Sequence, residues 1–411
     1  MADLLRLATC GSVDDGKSTL IGRLLHDTRQ IADDQIEHLQ AVSARRGSEL
    51  DLALLTDGLR AEREQGITID VAYRQLRIAG RRIVLADCPG HEQYTRNMVT
   101  GASTADAAVL LVDARHGVVT QTRRHLAICA TLRVPRVVVA VNKMDLVGWR
   151  PEPFVSIEAE VASLAGALGA AVPTCVPLSA LTGGHVVAPS ERLDWHDGPP
   201  LAELLARLPA DGADRDGPLR MPVQWVLRPA GGAGGGRRFA GRLARGAVRA
   251  GDEIVALPSG LRARVVAVET PGGEVASAAA PASVALRLDR ELDVARGDVV
   301  CAVADAPTPR RDLVATVCWM HERPARAGAR LLVKHGTRTT RAIVERIDGR
   351  LDLGSLAAVP AGALEVNDLG RVALRLAAPL AADDFAACRA TGAFILIDEA
   401  TNATVAAGMV G

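Results

Sequence analysis

Gly11, Ser12, Val13, Asp14, Asp15, Gly16, Lys17 and Ser18 form a loop bounded by glycines and closed by a lysine and a hydroxyl. The spacing G-x-x-x-x-G-K-[ST] suits a polyphosphate. Its glycines let main-chain amides turn inward to phosphate oxygens, and Lys17 brings a point charge to the β- and γ-phosphates. Ser18, followed by Thr19, offers Mg²⁺ a compact oxygen. Alone, the run would serve equally as a glycine-rich turn from strand to helix.

Four further runs follow in a fixed order. In Gly66-Ile-Thr-Ile-Asp70 the Thr68 hydroxyl can reach Mg²⁺ and its amide the γ-phosphate, a contact that exists only with a triphosphate. In the run Asp87, Cys88, Pro89, Gly90, His91, the carboxylate of Asp87 would hold Mg²⁺ through water and the Gly90 amide would sense the γ-phosphate. His91 would orient the attacking water, which makes Lys17, Thr68 and His91 the catalytic candidates. Base selection falls to Asn142, Lys143, Met144 and Asp145. The Asp145 carboxylate can accept both the ring N1–H and the exocyclic amine of guanine, a pair adenine does not offer. Lys143 can lay its aliphatic stem along the ring system. Last come Ser179, Ala180 and Leu181, where the Ala180 amide can reach the guanine carbonyl oxygen. The expected ligands are therefore GTP and Mg²⁺. The remaining histidines show no metal-ligand spacing and receive no role.

Positioning these runs requires strands that end where the chemistry begins. Apolar, β-branched segments do occur at 4–9, 82–86, 107–112 and 137–141, with a further apolar run at 172–178, and a helical pattern opens at Thr19. Fully apolar strands alternating with helices predict a doubly wound α/β domain with a mostly parallel sheet, which binds ligands at the carboxyl ends of its strands. Residues 208–218 (LPADGADRDGP) are polar and rich in turn formers, and beyond them short strands are broken by Gly and Pro, with a second break at Ala306-Pro-Thr-Pro309. Two β-barrels are expected in series. The expected domains are residues 1–212, 219–305 and 309–411. Residues 231–236 (GGAGGG) precede a strand pattern, not a helix, and so predict a flexible hairpin loop instead of an anion site.

Composition narrows the partners. Lys plus Arg number 48 and Asp plus Glu 48, so no global charge draws the chain of 411 residues to nucleic acid or an anionic membrane. Aromatics are only 2% of residues, which excludes an RNA surface built on base stacking. The seven cysteines contain no C-x-x-C pair and predict reduced, buried thiols. Neither an export signal nor an apolar run of spanning length is present, so the cytoplasm is expected. Of the basic residues only Lys17, Lys143 and Lys334 are lysine, and two of these lie in the nucleotide runs. Lys334 should point away from the face that carries Leu331 and Val333.

Together these runs resemble the elongation-factor group of GTPases, a P-loop GTPase domain followed by two β-barrels. Val13 and Ile67 match the apolar pair that flanks the catalytic histidine in that group. Within it, Gly11-Ser-Val-Asp-Asp15 and the stretches 20–30, 186–198 and 393–409 are similar to the large subunits of bacterial sulfate adenylyltransferases. That resemblance implies a smaller partner subunit, in a heterodimer or larger assembly, that joins ATP and sulfate into adenylyl sulfate and pyrophosphate, with GTP hydrolysis here driving the uphill step. The chain lacks an S-G-G-x-D-S adenylating loop, which agrees, and no second P-loop follows Ser18, so no fused adenylylsulfate kinase is expected in it. An aminoacyl-tRNA-carrying translation factor is the main alternative.

Overall fold

The computed structural model describes residues 4–37, 40, 52–55, 70–209, 215–228 and 236–411. Two compact units result: Met1–Ala210 with Asp352–Ala357, and Asp211–Leu351 with Ala358–Gly411. In the first, a six-stranded sheet is ordered β2-β3-β1-β4-β5-β6, from β1 (Leu4–Gly11), β2 (Ala72–Ile78), β3 (Arg81–Asp87), β4 (Ala107–Asp113), β5 (Val137–Asn142) and β6 (Thr174–Pro177). All neighbours are parallel except β2, which runs antiparallel to β3 at the edge. Strand β4, AAVLLVD, is buried at every position, as a central strand covered on both faces must be. Helices α1 (Lys17–Asp27), α2 (Thr95–Ser103), α3 (Thr120–Thr131), α4 (Pro151–Ala167) and α5 (Leu201–Arg207) follow the strands. Leu20, Ile21 and Leu24 turn the apolar side of α1 into the core shared with Leu5, Leu85 and Val109.

Strands β1, β3, β4 and β5 run slightly past their apolar segments, whereas β6 is shorter than the run at 172–178. Strands β3, β4 and β5 end on Asp87, Asp113 and Asn142, which stay in the sheet ladder and are at most 2% exposed. Asp87, Asp113 and Asn142 are thus held by the last rungs of the sheet.

The second unit holds two closed six-stranded antiparallel barrels. The first closes through β7 (Arg220–Leu227), β8 (Arg238–Arg242), β9 (Glu253–Leu257), β10 (Leu261–Thr270), β11 (Ser283–Leu288) and β12 (Val299–Ala302), in the ring β9-β12-β7-β8-β11-β10. Strands β7 and β8 form the hairpin expected around the glycine run, most of which, at 231–235, lies outside the described residues. The second closes through β13 (Arg310–Trp319), β14 (Arg330–His335), β15 (Arg338–Leu351), β16 (Leu369–Leu380), β17 (Ala393–Ile397) and β18 (Thr404–Val410). Lys334 is exposed on β14 while Leu331 and Val333 are buried, the expected alternation.

An ion pair joins the barrels. Arg220 of β7, 2% exposed, donates from Nε to Asp383 at 2.9 Å and from Nη2 to the same carboxylate at 2.9 Å, and its Nη1 reaches Leu219 O at 3.0 Å. Thr391 Oγ1 donates to Asp383 Oδ2 at 2.6 Å, and His335 Nε2 lies 2.7 Å from Thr391 O. A buried charge pair survives only when its remaining hydrogen-bonding capacity is met, and here it is.

Candidate nucleotide site

The loop after β1 is shaped by its backbone. Gly16, at φ 92°, lies where an added Cβ would stand 2.5 Å from Asn142 Nδ2, so only glycine fits both the conformation and the space. Asn142 donates from Nδ2 to Asp15 O at 2.8 Å and accepts at Oδ1 from the Ala180 amide at 2.9 Å. One side chain therefore ties the phosphate-type loop, the end of β5 and the Ser179–Leu181 turn into a single constellation. Lys17, 7% exposed at the start of α1, donates to Gly11 O at 2.9 Å and Ser12 O at 2.7 Å. Burial lowers its pKa from the ordinary lysine value, opposed by Asp15 and Asp87. Asp15 accepts from the Ser12 amide at 2.6 Å, while burial pushes its carboxyl up.

Gly90 closes against this loop. A Cβ there would fall 2.4 Å from Lys17 Nζ and 2.6 Å from Gly11 O, so the Asp87–His91 run reaches the loop only because position 90 lacks a side chain. Asp87, 1% exposed, accepts from Thr9 Oγ1 at 3.4 Å. His91 sits just outside, its Nδ1 accepting from the Gln93 amide at 3.3 Å and its ring 6.0 Å from that of Tyr94. At the base-reading end, Asp145 Oδ1 is buried without a hydrogen-bond partner among the described residues. An orphaned buried acceptor is costly unless a ligand donor meets it, and the N1–H of guanine is such a donor. The fit extends to Mg²⁺ in the kind of donor present: the Ser18 hydroxyl and the Asp87 carboxylate are hard oxygens.

Thr68, with Gly66 and Ile67, lies outside the described residues. The side chains of Cys88 and Met144 are both 0% exposed and packed in the core. The Ala180 amide, expected at the base carbonyl, is bonded in this structure to Asn142, and Leu181 is 64% exposed. Among the described residues no cluster of His, Cys, Asp and Glu could hold a metal ion by itself, and all seven cysteines are free and buried.

Several residues that brace the site were not singled out from sequence. Asp113, at the end of β4, takes Lys143 Nζ at 2.9 Å and Arg115 Nη2 at 2.7 Å. Burial would raise its carboxyl, but hydrogen bonds from Arg115 and Lys143 prevail and hold it well below the carboxylate range. Lys143, at φ 65°, also donates to Asp14 O. Arg23 of α1 donates from Nε to Ala180 O at 3.1 Å and from Nη2 to Leu181 O, latching that turn. Gln121 of α3 donates to Gly90 O at 3.1 Å and lies 3.1 Å from His125 Nε2. Its i,i+4 spacing from His125 was the available sequence signal.

His125 is 0% exposed, and burial, helped by Lys17 and Arg124, pushes its pKa down to about 3 from the ordinary 6.5. The unfolded chain gains this proton as pH falls through 6.5 and the folded chain does not until about 3, so folded stability drops as pH falls across that window. The contribution is about 1.4 kcal/mol per pH unit. His125→Gln is expected to show a shallower loss of urea midpoint between neutral pH and pH ~5 than the parent chain. Identical slopes would show that His125 is protonated in the folded state.

Comparison with known proteins accords with this geometry. The family described as Elongation factor Tu GTP binding domain matches residues 2–210, and that described as GTP-eEF1A C-terminal domain-like matches residues 312–411. Sulfate adenylyltransferase subunit 1 of Laribacter hongkongensis is 46% identical over 412 residues, spanning 99% of this chain and 85% of that one. The chain belongs to the sulfate adenylyltransferase subunit 1 family. Another member, from Methylorubrum populi, is 48% identical across 99% of this chain and 87% of its own length. The Bifunctional enzyme CysN/CysC of Mycobacterium tuberculosis is 48% identical over the whole of this chain, which spans 67% of that longer protein. As a member of this family, the chain carries a GTP-binding domain of elongation factor Tu type, and its two closed barrels complete the three-domain fold of that group.

Proposed function

We propose that this chain is the GTPase subunit of a sulfate adenylyltransferase, hydrolysing GTP so that a smaller partner subunit can convert ATP and sulfate to adenylyl sulfate and pyrophosphate. The observation that carries the reading is the convergence of the Gly11–Ser18 loop, Gly90, Asn142 and Asp145 at the carboxyl ends of β1, β3 and β5, in a chain whose relatives are named sulfate adenylyltransferase subunit 1. Those names favour it over an aminoacyl-tRNA carrier.

In this reading the domains are residues 1–212, 219–305 and 309–411. The loop amides from Ser12 to Thr19 wrap the phosphates, and Lys17 exchanges Gly11 O and Ser12 O for β- and γ-phosphate oxygens. Ser18, Thr68 and, through water, Asp87 would hold Mg²⁺, which when bound would neutralise phosphate charge. The Gly90 amide meets the γ-phosphate. His91 aligns water for in-line attack. Asp145 reads the base, Lys143 covers it, and the Ser179–Leu181 turn, latched by Arg23, contributes the Ala180 amide. The reading places the chain in the cytoplasm; among the described residues no helix is long and apolar enough to cross a membrane.

The test is reconstitution. The purified chain alone should release no pyrophosphate from ATP and sulfate. Adding the small subunit should produce adenylyl sulfate in a reaction that needs GTP, and should accelerate GTP hydrolysis. Sulfate-dependent pyrophosphate release by the single chain would overturn this division of labour.

A further inference from the structure

One outer face of the second barrel carries chemistry that the nucleotide site does not use. Strand register sets Arg330 of β14 and Arg375 of β16 on either side of Ile343 of β15. Ile343 is 42% exposed, high for a large aliphatic side chain. Along β14 the same face continues through Leu332, opposite Ile397 of β17, to Lys334, opposite Ile395. Leu332, Ile395 and Ile397 are half-buried, and Arg330 and Lys334 are exposed. A hollow of about 450 Å³ opens here, lined by Arg330, Ile343, Arg341, Arg375 and Glu399 among others.

The charges on this face are not equivalent. Arg341 is paired with Glu399 at 2.6 Å, and Arg375 with Asp312 at 2.8 Å and Glu345 at 2.9 Å. Arg330 and Lys334 have no ion-pair partner among the described residues. The face therefore presents an aliphatic strip with two unpaired cations on its margin, the apolar centre and charged rim that a protein interface requires. Nucleic acid fits poorly, because there is no aromatic side chain to stack a base and three carboxylates would face its phosphates.

We propose that this face docks an acidic, aliphatic segment of the small partner subunit, with apolar side chains on Ile343 and Leu332 and carboxylates on Arg330 and Lys334. The inference rests on the functional reading above, since it presumes that partner. It also gives a reason for a lysine at position 334, where a narrow ammonium on a flexible stem can follow a carboxylate that the planar guanidinium fork would have to meet in plane.

Binding of the small subunit should be titrated at low and at physiological salt with the full chain, with Arg330→Glu/Lys334→Glu and with Ile343→Asp. The charge reversal is expected to weaken binding more than about tenfold at low salt and to flatten its salt dependence. Ile343→Asp should weaken it by about tenfold or more at both salts. Basal GTP hydrolysis should be unchanged in each, since none of these residues lies in the nucleotide site, and Arg330→Gln/Lys334→Gln provides a milder variant with the same expected direction. Wild-type binding by all variants would overturn the docking face while leaving the partner assignment intact. Failure of the unaltered chain to bind the small subunit would overturn both, and loss of tRNA binding with small-subunit binding retained would reassign the face to RNA.

Discussion

Asp145→Asn is expected to lose GTP affinity by about a hundredfold or more and to gain a preference for xanthosine triphosphate, the scale expected when a buried hydrogen-bonding site meets the wrong partner. The effect should be large because Asp145 Oδ1 is already buried without a partner, so the site is committed to receiving a donor. Guanine supplies two donors along one edge, and a carboxylate accepts both. An asparagine replaces one acceptor by a donor, which faces the guanine amine unfavourably and the xanthine carbonyl favourably. The surroundings should be undisturbed, since the neighbouring Lys143 is held by Asp113 and Asp14 and not by Asp145. Direct titration with both triphosphates measures the outcome. A variant that still prefers GTP would show that Asn142–Asp145 does not read the base.

His91→Ala is expected to keep nucleotide affinity within a few-fold and to lose roughly a hundredfold in single-turnover hydrolysis, as follows from removing a group that orients the attacking water. Its structural cost is small. The ring caps the short turn at Glu92–Tyr94 through one 3.3 Å hydrogen bond from the Gln93 amide, on a partly exposed segment, so about 1 kcal/mol is at stake. Loss of rate without loss of binding therefore separates a role in the reaction from a role in the turn. Unchanged hydrolysis would assign water positioning to another residue.

What was legible in the sequence follows from where side chains act. Local features were: the glycine-lysine loop, the apolar strands and the order of the motifs are set by neighbours in the chain, and the sheet and two barrels follow that pattern. Strand ends at Asp87, Asp113 and Asn142 lay beyond the apolar runs because a polar side chain in a last rung is invisible to periodicity. Arg23 was missed because its role depends on a turn 157 residues away, and Gln121 because its carbonyl partner belongs to Gly90 on another element. Motif membership also did not show that the side chains of Cys88 and Met144 are buried in the core. Strand alternation showed where barrel strands lie but not that each ring closes, which only the pairings of β9 with β10 and β14 with β15 establish.

The Arg220–Asp383 contact has a mechanical meaning. A guanidinium gripped on three of its nitrogens by a carboxylate and by main-chain oxygens leaves little slack between β7 and the segment after β16. Sliding one barrel on the other would strand a bare charge in a dry place, which costs several kcal/mol and far exceeds thermal energy. The pair of barrels should consequently behave as a stiff lever. A displacement delivered to β7 reaches the far barrel without being absorbed on the way, because Arg220 cannot part from Asp383 without stranding a charge.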